Sequence, residues 1–378
     1  MLGKIDSPLN QKLAQVKWGE FKISKLFNIE NTLSFNADKL VNGSEYDYVT
    51  RTSLNQGILK TTGFVNERNI NDSGNWSLGL LQMDFFYRRN PWYAGQFVRK
   101  ISPKFAVTDN TALFFTTILN GLKKDLLSVL VRNVDNIFLN STIQLPIDGN
   151  GEIDFGFIDG FVAELEGQRV AELQAYLSVT GLSDYTLTEE EKHVIEHLTE
   201  IPFKTFKITS IFDIKNTGNI LSRDIIENSG STPYLCASRE NNAVSSYITY
   251  NEDSLDKGNC VFIGGKTFVV TYQKNDFFSN DSHNLVLYLK KKDFEQQNIL
   301  LSLVACVDRS LRHKYSWGDS ISNKKIKSDV IMLPVNKNEP NYELMATLIS
   351  AVKKLVIKDV VNYADKKIAL TKEVISKS

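Results

Sequence analysis

The chain repeats itself, and that repetition limits its fold more tightly than any single motif. Residues 18–32, WGEFKISKLFNIENT, return as FKTFKITSIFDIKNT at residues 203–217, a constant offset of 185. Of the twelve positions running from Phe21 to Thr32, seven are identical in the segment from Phe206 to Thr217, where ordinary residue frequencies give about one. Four further markers recur in the same order at nearly the same offset. YVTRTSLNQGI (48–58) parallels YLCASRENNAV (234–244), SGN ending at Asn75 parallels KGN ending at Asn259, YRRNPWY (87–93) parallels YQKNDFF (272–278), and IQLPIDGNG (143–151) parallels IMLPVNKNE (331–339). Collinearity over five blocks predicts two copies of one folding unit.

Each copy ends in a helical stretch. Residues 155–177 carry Phe157, Phe161, Leu165, Val170, Leu173 and Leu177 at helix-like steps. A break at Gly181 and Ser183 follows, and Thr188 with Glu191 forms a capping box for a second short helix through Leu198. Pro202 marks the boundary to the second copy. Residues 342–375 lack Pro and Gly and place Leu344, Leu348, Ala351 and Leu355 on one face, which predicts a long helix. The two long helices are expected to pack on each other as an antiparallel rod. Between them, residues 84–87, 112–117, 260–263, 267–272 and 285–289 are rich in aromatic and β-branched residues and read as strands. Residues 121–131 and 294–306 read as helices. The fold class is therefore α+β, two tandem homologous domains at 1–154 and 201–340 with helical spacers at 155–200 and 341–378.

Composition narrows the function classes. The chain is long enough for two cores. Neither the first residues nor any later run resembles a leader or a membrane span. Cys236, Cys260 and Cys306 form no CxxC pair, so reduced thiols in a cytoplasmic protein are expected, packed as small hydrophobes. Lys plus Arg and Asp plus Glu number 44 each, so no global basic footprint announces a nucleic-acid binder. Either the chain binds no nucleic acid, or it reads bases through a small local surface while a partner supplies much of the phosphate contact.

The doubled order of W/F-x-x-F-x-I-x-x-[LI]-F, then Y-[VL]-x-[AR]-[ST], a GN-containing strand region, and [IV]-x-LP before a long helix resembles the target-recognition domains of type I restriction-modification specificity subunits. It is especially similar to those that pair with fused nuclease-methyltransferase subunits. One departure is Gln82-Met83-Asp84 where the second copy is taken to have Gly265-Lys266-Thr267. The resemblance implies that each domain reads one half of a split, asymmetric duplex DNA target. It implies that the helices set the half-site distance and dock methyltransferase subunits, with S-adenosylmethionine held by the partner and no cofactor here.

Base edges are read by Arg, Asn, Gln, Ser and Thr. Arg51, Thr52, Ser53, Asn55 and Gln56 in one copy, and Ser238, Arg239, Asn241 and Asn242 in the other, supply those types at one place in the repeat. The differing loop sequences predict different half-sites. Lys60, Arg88, Arg89, Lys266, Lys274, Arg312 and Lys314 are candidates for phosphate positioning. Trp92, Tyr93, Phe277 and Phe278 are expected in the core, with groove wedging as the other reading.

Catalytic signals are weak. His193-Val-Ile-Glu196-His197 fits the inverted zinc-protease pattern but sits in a short charged helix with no obvious third ligand. Gly264-Gly265-Lys266-Thr267 lacks the first glycine of a phosphate loop and precedes a strand-like run, so a surface turn is expected. No GxGxxG, GxSxG or adenine-methyltransferase D/N-P-P-Y/F sequence occurs, so the chain is expected to be non-catalytic. Two other classes stay open from sequence: an interaction adaptor or DNA-mimicking decoy, and a hydrolase centred on His193 and His197.

Overall fold

The computed structural model describes residues 8–129 and 133–377. Two compact units divide the chain, Leu2–Glu172 and Leu173–Ser378. The first contains α1 (Pro8–Gln15), β1 (Trp18–Lys22), α2 (Ile23–Leu26), β2 (Phe27–Asn31), β3 (Tyr46–Val49), β4 (Ile58–Thr62), β5 (Asn75–Gly79), β6 (Asp84–Arg88), β7 (Trp92–Ala94) and β8 (Val98–Pro103). Then come α3 (Asp109–Gly121), α4 (Lys123–Leu127), α5 (Val134–Asn140) and β9 (Thr142–Pro146), and the unit boundary falls inside α6 (Phe155–Val179).

The second unit holds α7 (Glu189–Glu196), β10 (Phe203–Lys207), α8 (Ile208–Ile211), β11 (Phe212–Asn216), β12 (Thr232–Leu235), β13 (Val244–Ile248), β14 (Cys260–Gly264), β15 (Val269–Gln273), β16 (Phe278–Ser279) and β17 (Leu285–Leu289). It ends with α9 (Gln297–Leu311), α10 (Asn323–Ile326), β18 (Val330–Asn336), β19 (Glu339–Pro340) and α11 (Tyr342–Lys377).

Strand pairing repeats register for register. In one unit β1 pairs with β9, Trp18 opposite Pro146; in the other β10 pairs with β18, Phe203 opposite Pro334. The antiparallel sheet β2-β8-β5-β6 has its counterpart in β11-β17-β14-β15. The small sheet β4-β3-β7, which mixes an antiparallel and a parallel pair, returns as β13-β12-β16. A bulge recurs too, between Tyr48 and Val49 and between Tyr234 and Leu235. Even a tyrosine tether is copied: Tyr48 donates its hydroxyl to the Phe35 carbonyl, and Tyr234 to that of Ile220. One marker moves by a residue. Asn75 opposite Arg88 is equivalent to Cys260 opposite Gln273, so Gly74 (φ +80°) corresponds to Asn259 (φ +49°), each left-handed in its own copy.

The cores follow from these patterns. In the first unit Phe27, Trp76, Phe85, Phe115 and Phe138 pack between the four-stranded sheet and the helices, with Phe27 edge-on to both Trp76 and Phe115. Each such fully buried side chain contributes roughly 1.5–3 kcal/mol. In the second, Phe212, Val261, Leu287, Leu303 and Val307 do the same. Cys260 is buried and Cys306 nearly so, and burial pushes their thiols up to about 12 and about 11.

Three expectations about elements change. Residues 112–117 are not a strand but the middle of α3, because Thr108 caps the helix by accepting from the Thr111 amide and Ala112, Phe115 and Leu119 fall on one buried face. Burial of that face overrides the β propensity of FFTT. Of the helix expected at 121–131 the described residues hold α4, and Leu130 and Val131 lie outside them. The one expected at 294–306 starts later and runs to Leu311.

The helical elements pair within the second unit. Leu173 and Leu177 at the end of α6, with Leu182 and Tyr185, pack against Ile357, Val361 and Ala364 of α11. The capping box is present, Thr188 accepting from the Glu191 amide and Glu191 from that of Thr188. The same buried carboxylate also accepts from Ser350 at 2.6 Å and from Lys354 at 2.8 Å, pinning α7 to α11. Burial would raise its pKa, but the hydrogen bonds from Lys354, Ser350 and Thr188 outweigh that and hold it at about 2, below the ordinary 4.5. The clasp is complete above pH 4.5 and is lost as pH falls from there towards 2. Glu191→Gln should lower the stability of the full chain at pH 7 by about 1–3 kcal/mol and flatten its loss between pH 4.5 and 2. Urea unfolding across that range checks both.

Candidate nucleic-acid interface

In each copy the loop that carries the candidate base-reading residues leaves one strand at the bulge and returns on the next. Its ends are closed by a backbone bond, Thr50 N to Gly57 O at 2.8 Å and Cys236 N to Ala243 O at 2.9 Å. Inside lie three successive left-handed residues: Asn55, Gln56 and Gly57 (φ +46°, +53°, +79°), and Asn241, Asn242 and Ala243 (φ +47°, +54°, +68°). Glycine adopts that region freely and asparagine tolerates it, whereas Gln56 and Ala243 are strained. The neighbouring hairpin supports each loop. A Cβ on Gly79 would sit 2.9 Å from the Arg51 Cα, and one on Gly264 would sit 2.7 Å from the Ala237 Cα. Both glycines therefore permit a close approach of loop backbone to sheet.

Beneath the loop ends a buried polar side chain from the last residue of β6 or β15. Arg88 donates Nη2 to the Gln56 carbonyl and Nε to the Ser77 hydroxyl at 2.8 Å. Gln273, at the equivalent register position, donates Nε2 to the Asn242 carbonyl at 2.8 Å and to the Thr271 hydroxyl at 2.9 Å. Arg88 is 2% exposed, and burial lowers its pKa to about 10, so it stays charged at neutral pH.

With the backbone held this way, Arg51, Ser53, Asn55, Gln56, Arg239, Asn241 and Asn242 are exposed, and Thr52 and Ser238 are half-buried. Some are tied within the loop. Thr52 Oγ1 accepts from the Leu54 amide, Ser238 Oγ from that of Glu240, and Asn55 and Asn242 donate to the carbonyls of Ile58 and Tyr272. Ser53 bonds Asp84, and the Arg51 guanidinium lies 5.3 Å over the Phe97 ring. Arg51 to Leu54 border an open cleft of about 680 Å³ that Gln82 and Gln96 also line. In the second copy Arg239 borders a cleft of about 360 Å³ with Arg312 and Trp317.

The phosphate candidates divide. Lys60 and Lys274 are exposed. Arg89 pairs with Asp109 at the surface, where exchanging a carboxylate partner for a phosphate costs about 0–1 kcal/mol, and the exposed Lys266 and Arg312 pair with the half-buried Asp281 and Asp308. Asp281 is desolvated, yet its bonds from His283 and Lys266 hold it at about 2. One call is corrected. Arg88 is a buried loop support and has no surface to offer a phosphate. Lys314 pairs at 2.9 Å with the buried Asp329, whose other oxygen accepts from Tyr315, and removing it would leave a buried charge uncompensated. Trp92, Tyr93, Phe277 and Phe278 are core residues.

Sequence reading missed the hairpin turns. Gly79 opposite Asp84 is equivalent to Gly264 opposite Val269, so the counterpart of Gly265-Lys266-Thr267-Phe268 is Leu80-Leu81-Gln82-Met83, which corrects the earlier alignment of Gln82 with Gly265. The matching left-handed Met83 and Phe268 mark the same turn, which is no phosphate loop. Trp317, 80% exposed beside Arg239 and Arg312, was also missed, and its lone position in a polar run gave no periodic signal. The rings of His193 in α7 and His197 at its C-terminal cap lie 4.2 Å apart and tilted by 42°, and among the described residues no group of three metal-ligating side chains forms.

Comparison with known proteins gives consistent matches. The family described as "Type I restriction modification DNA specificity domain" matches twice, over residues 15–175 and 200–374. The chain is 26% identical over 344 residues to the specificity subunit of a type II restriction enzyme from Heyndrickxia coagulans, covering 87% of this chain and 93% of that one. Its fold is similar to that of a type I restriction-modification system S subunit from M. genitalium, with a TM-score of 0.57 at 11% identity over 96% of this chain and 95% of that one.

The close approach at the hairpin makes a direct prediction. Gly79→Ala and Gly264→Ala should each destabilise the chain by about 1–3 kcal/mol, since a methyl group would push loop backbone off the sheet. Denaturant midpoints at constant m-value measure it. Gly74→Ala, with open space around its Cβ, should cost only the left-handed strain of about 1–2 kcal/mol.

Proposed function

The chain belongs to the type I restriction modification DNA specificity domain family and carries that domain twice, and from this premise we propose that it reads a bipartite, asymmetric duplex target, one half-site per copy. The observation that carries the reading is the twin loop: one strained scaffold, built twice, that presents Arg51 to Gln56 in one copy and Ser238 to Asn242 in the other. Identical scaffolds with different base-reading side chains are what two different half-sites require. Lys60, Lys274, Arg89, Lys266 and Arg312 position the phosphates. The copies comprise residues 1–154 and 201–340, with spacers at 155–200 and 341–378.

The spacers set the half-site distance and dock a methyltransferase or fused nuclease-methyltransferase subunit, which holds S-adenosylmethionine and performs the chemistry in the cytoplasm. At 1.5 Å per residue, α6 with 25 residues and α11 with 36 are about 37 and 54 Å long, the scale of one to two turns of duplex. Docking is supported by an exposed apolar series on α11, Val352, Leu355, Val356, Val360 and Tyr363, of which Val356 is 74% exposed.

Two outcomes are expected. With no net charge, the chain alone should bind duplex DNA weakly, and adding the partner subunit should tighten binding and make it site-specific; titration by fluorescence anisotropy at several salt concentrations decides this, and affinity indifferent to the partner would sink the reading. In cells co-expressing the partner, Arg51→Ala and Arg239→Ala should relax opposite halves of the methylated motif, with about 1–3 kcal/mol of discrimination lost at the affected base. Methylome sequencing reads both halves at once. Replacing residues 17–150 by those of a relative should change one half only.

A further inference from the structure

The base-reading side chains brace their backbone only in part, Asn55 through the Ile58 carbonyl and Asn242 through that of Tyr272, and a buried donor below each loop adds a separate hold. Three left-handed residues in a row occur in both loops although two of the six, Gln56 and Ala243, gain nothing from that conformation. The carbonyl of the middle residue is turned inward in both copies, where it meets a buried donor. With that carbonyl turned inward, Gln56 and Asn241 are exposed, while the exposed residues Asn55 and Asn242 each tie their side-chain amide to a nearby carbonyl.

The donors are chemically different, Arg88 and Gln273, yet they stand at the same register position, opposite Asn75 in one sheet and Cys260 in the other. Each also bonds a hydroxyl of its own sheet, Ser77 for Arg88 and Thr271 for Gln273. Those hydroxyls come from non-equivalent strands. The geometry has thus been reached by two side chains with two different supports, and what the copies share is the bond to the loop carbonyl. A buried guanidinium with no carboxylate bonded to it is costly, and it persists only where its hydrogen bonds are used.

We infer that Arg88 and Gln273 are positioning residues for sequence reading: each latches its own loop, and each controls the fidelity of one half-site without touching DNA. This rests on the bipartite reading proposed above. It also explains why Arg88, a cation between two strands of the recognition domain, is no phosphate contact.

The test uses the full chain co-expressed with its methyltransferase partner. Gln273→Met is the lead variant, being nearly isosteric and uncharged, so that it removes the donor and little else. The fraction of methylated sites carrying a wrong base in the second-copy half should rise by about tenfold, with the other half unchanged. Arg88→Met should relax the first-copy half in the same way, and Arg88→Gln, which installs the other copy's donor, should restore it. Amide hydrogen exchange over residues 55–57 and 241–243 should quicken only in the loop whose latch is removed. Equal relaxation of both halves, or a motif unchanged while the loop exchanges faster, overturns the latch. If the wild-type complex deposits no two-part motif at all, the bipartite reading falls and the latch with it, whereas a wild-type motif indifferent to all three variants overturns the latch alone.

Discussion

Each recognition loop is a short piece of backbone in a conformation it would not choose, and the arrangement around it exists to keep it there. A non-glycine residue in the left-handed region costs about 1–2 kcal/mol, and each loop strings several together. Such backbone survives only where its surroundings over-determine it. Here a closing main-chain bond, a glycine that lets the loop rest against the hairpin, and a buried side-chain donor act on the same few residues. None of the three is dispensable in an obvious way, because each fixes a different degree of freedom: the loop's width, its height above the sheet, and the rotation of its central peptide.

The duplication separates what the scaffold needs from what the surface may vary. Sheet order, register, the parallel third strand, the bulge and the tyrosine tether are retained in both copies. Where identity changes, the physical task does not: Gly57 becomes Ala243 at nearly the same φ, Gly74 becomes Asn259, and Arg88 becomes Gln273. Thr52 and Ser238 each keep the same turn bond, but their neighbours obey no such rule, Arg51 and Ser53 standing where the other copy has Ala237 and Arg239. A scaffold indifferent to its surface residues lets two half-sites diverge without refolding either domain.

Much of this was legible in the residues. Five collinear blocks gave the repeat, the Thr188 and Glu191 pair gave the capping box, and the proline-free terminal stretch gave α11. What failed did so for tertiary reasons. Residues 112–117 look like a strand until Thr108 is recognised as a cap and the buried face of α3 is known. Arg88 looks like any exposed basic residue beside Arg89, because strand alternation sends neighbouring side chains to opposite faces and the sequence does not say which face is covered. The hairpin alignment slipped by two residues because left-handed turns are met by Gly, Asn, Met or Phe alike when sheet pairing enforces them.

Electrical neutrality then becomes part of the reading. Arg89, Lys266 and Arg312 reach the surface already paired with carboxylates. In the proposed reading a phosphate displaces an acid at each, so the gain over the unbound state is small and backbone contact alone yields little affinity. On that reading the same pairs would suppress non-specific binding, since random sequence offers phosphates but no matching base edges. Specificity is a difference between affinities, and lowering the sequence-independent part raises the weight of the base contacts that remain. In the function proposed here, a neutral reader with braced loops would thus leave overall affinity to its partner and keep discrimination for itself.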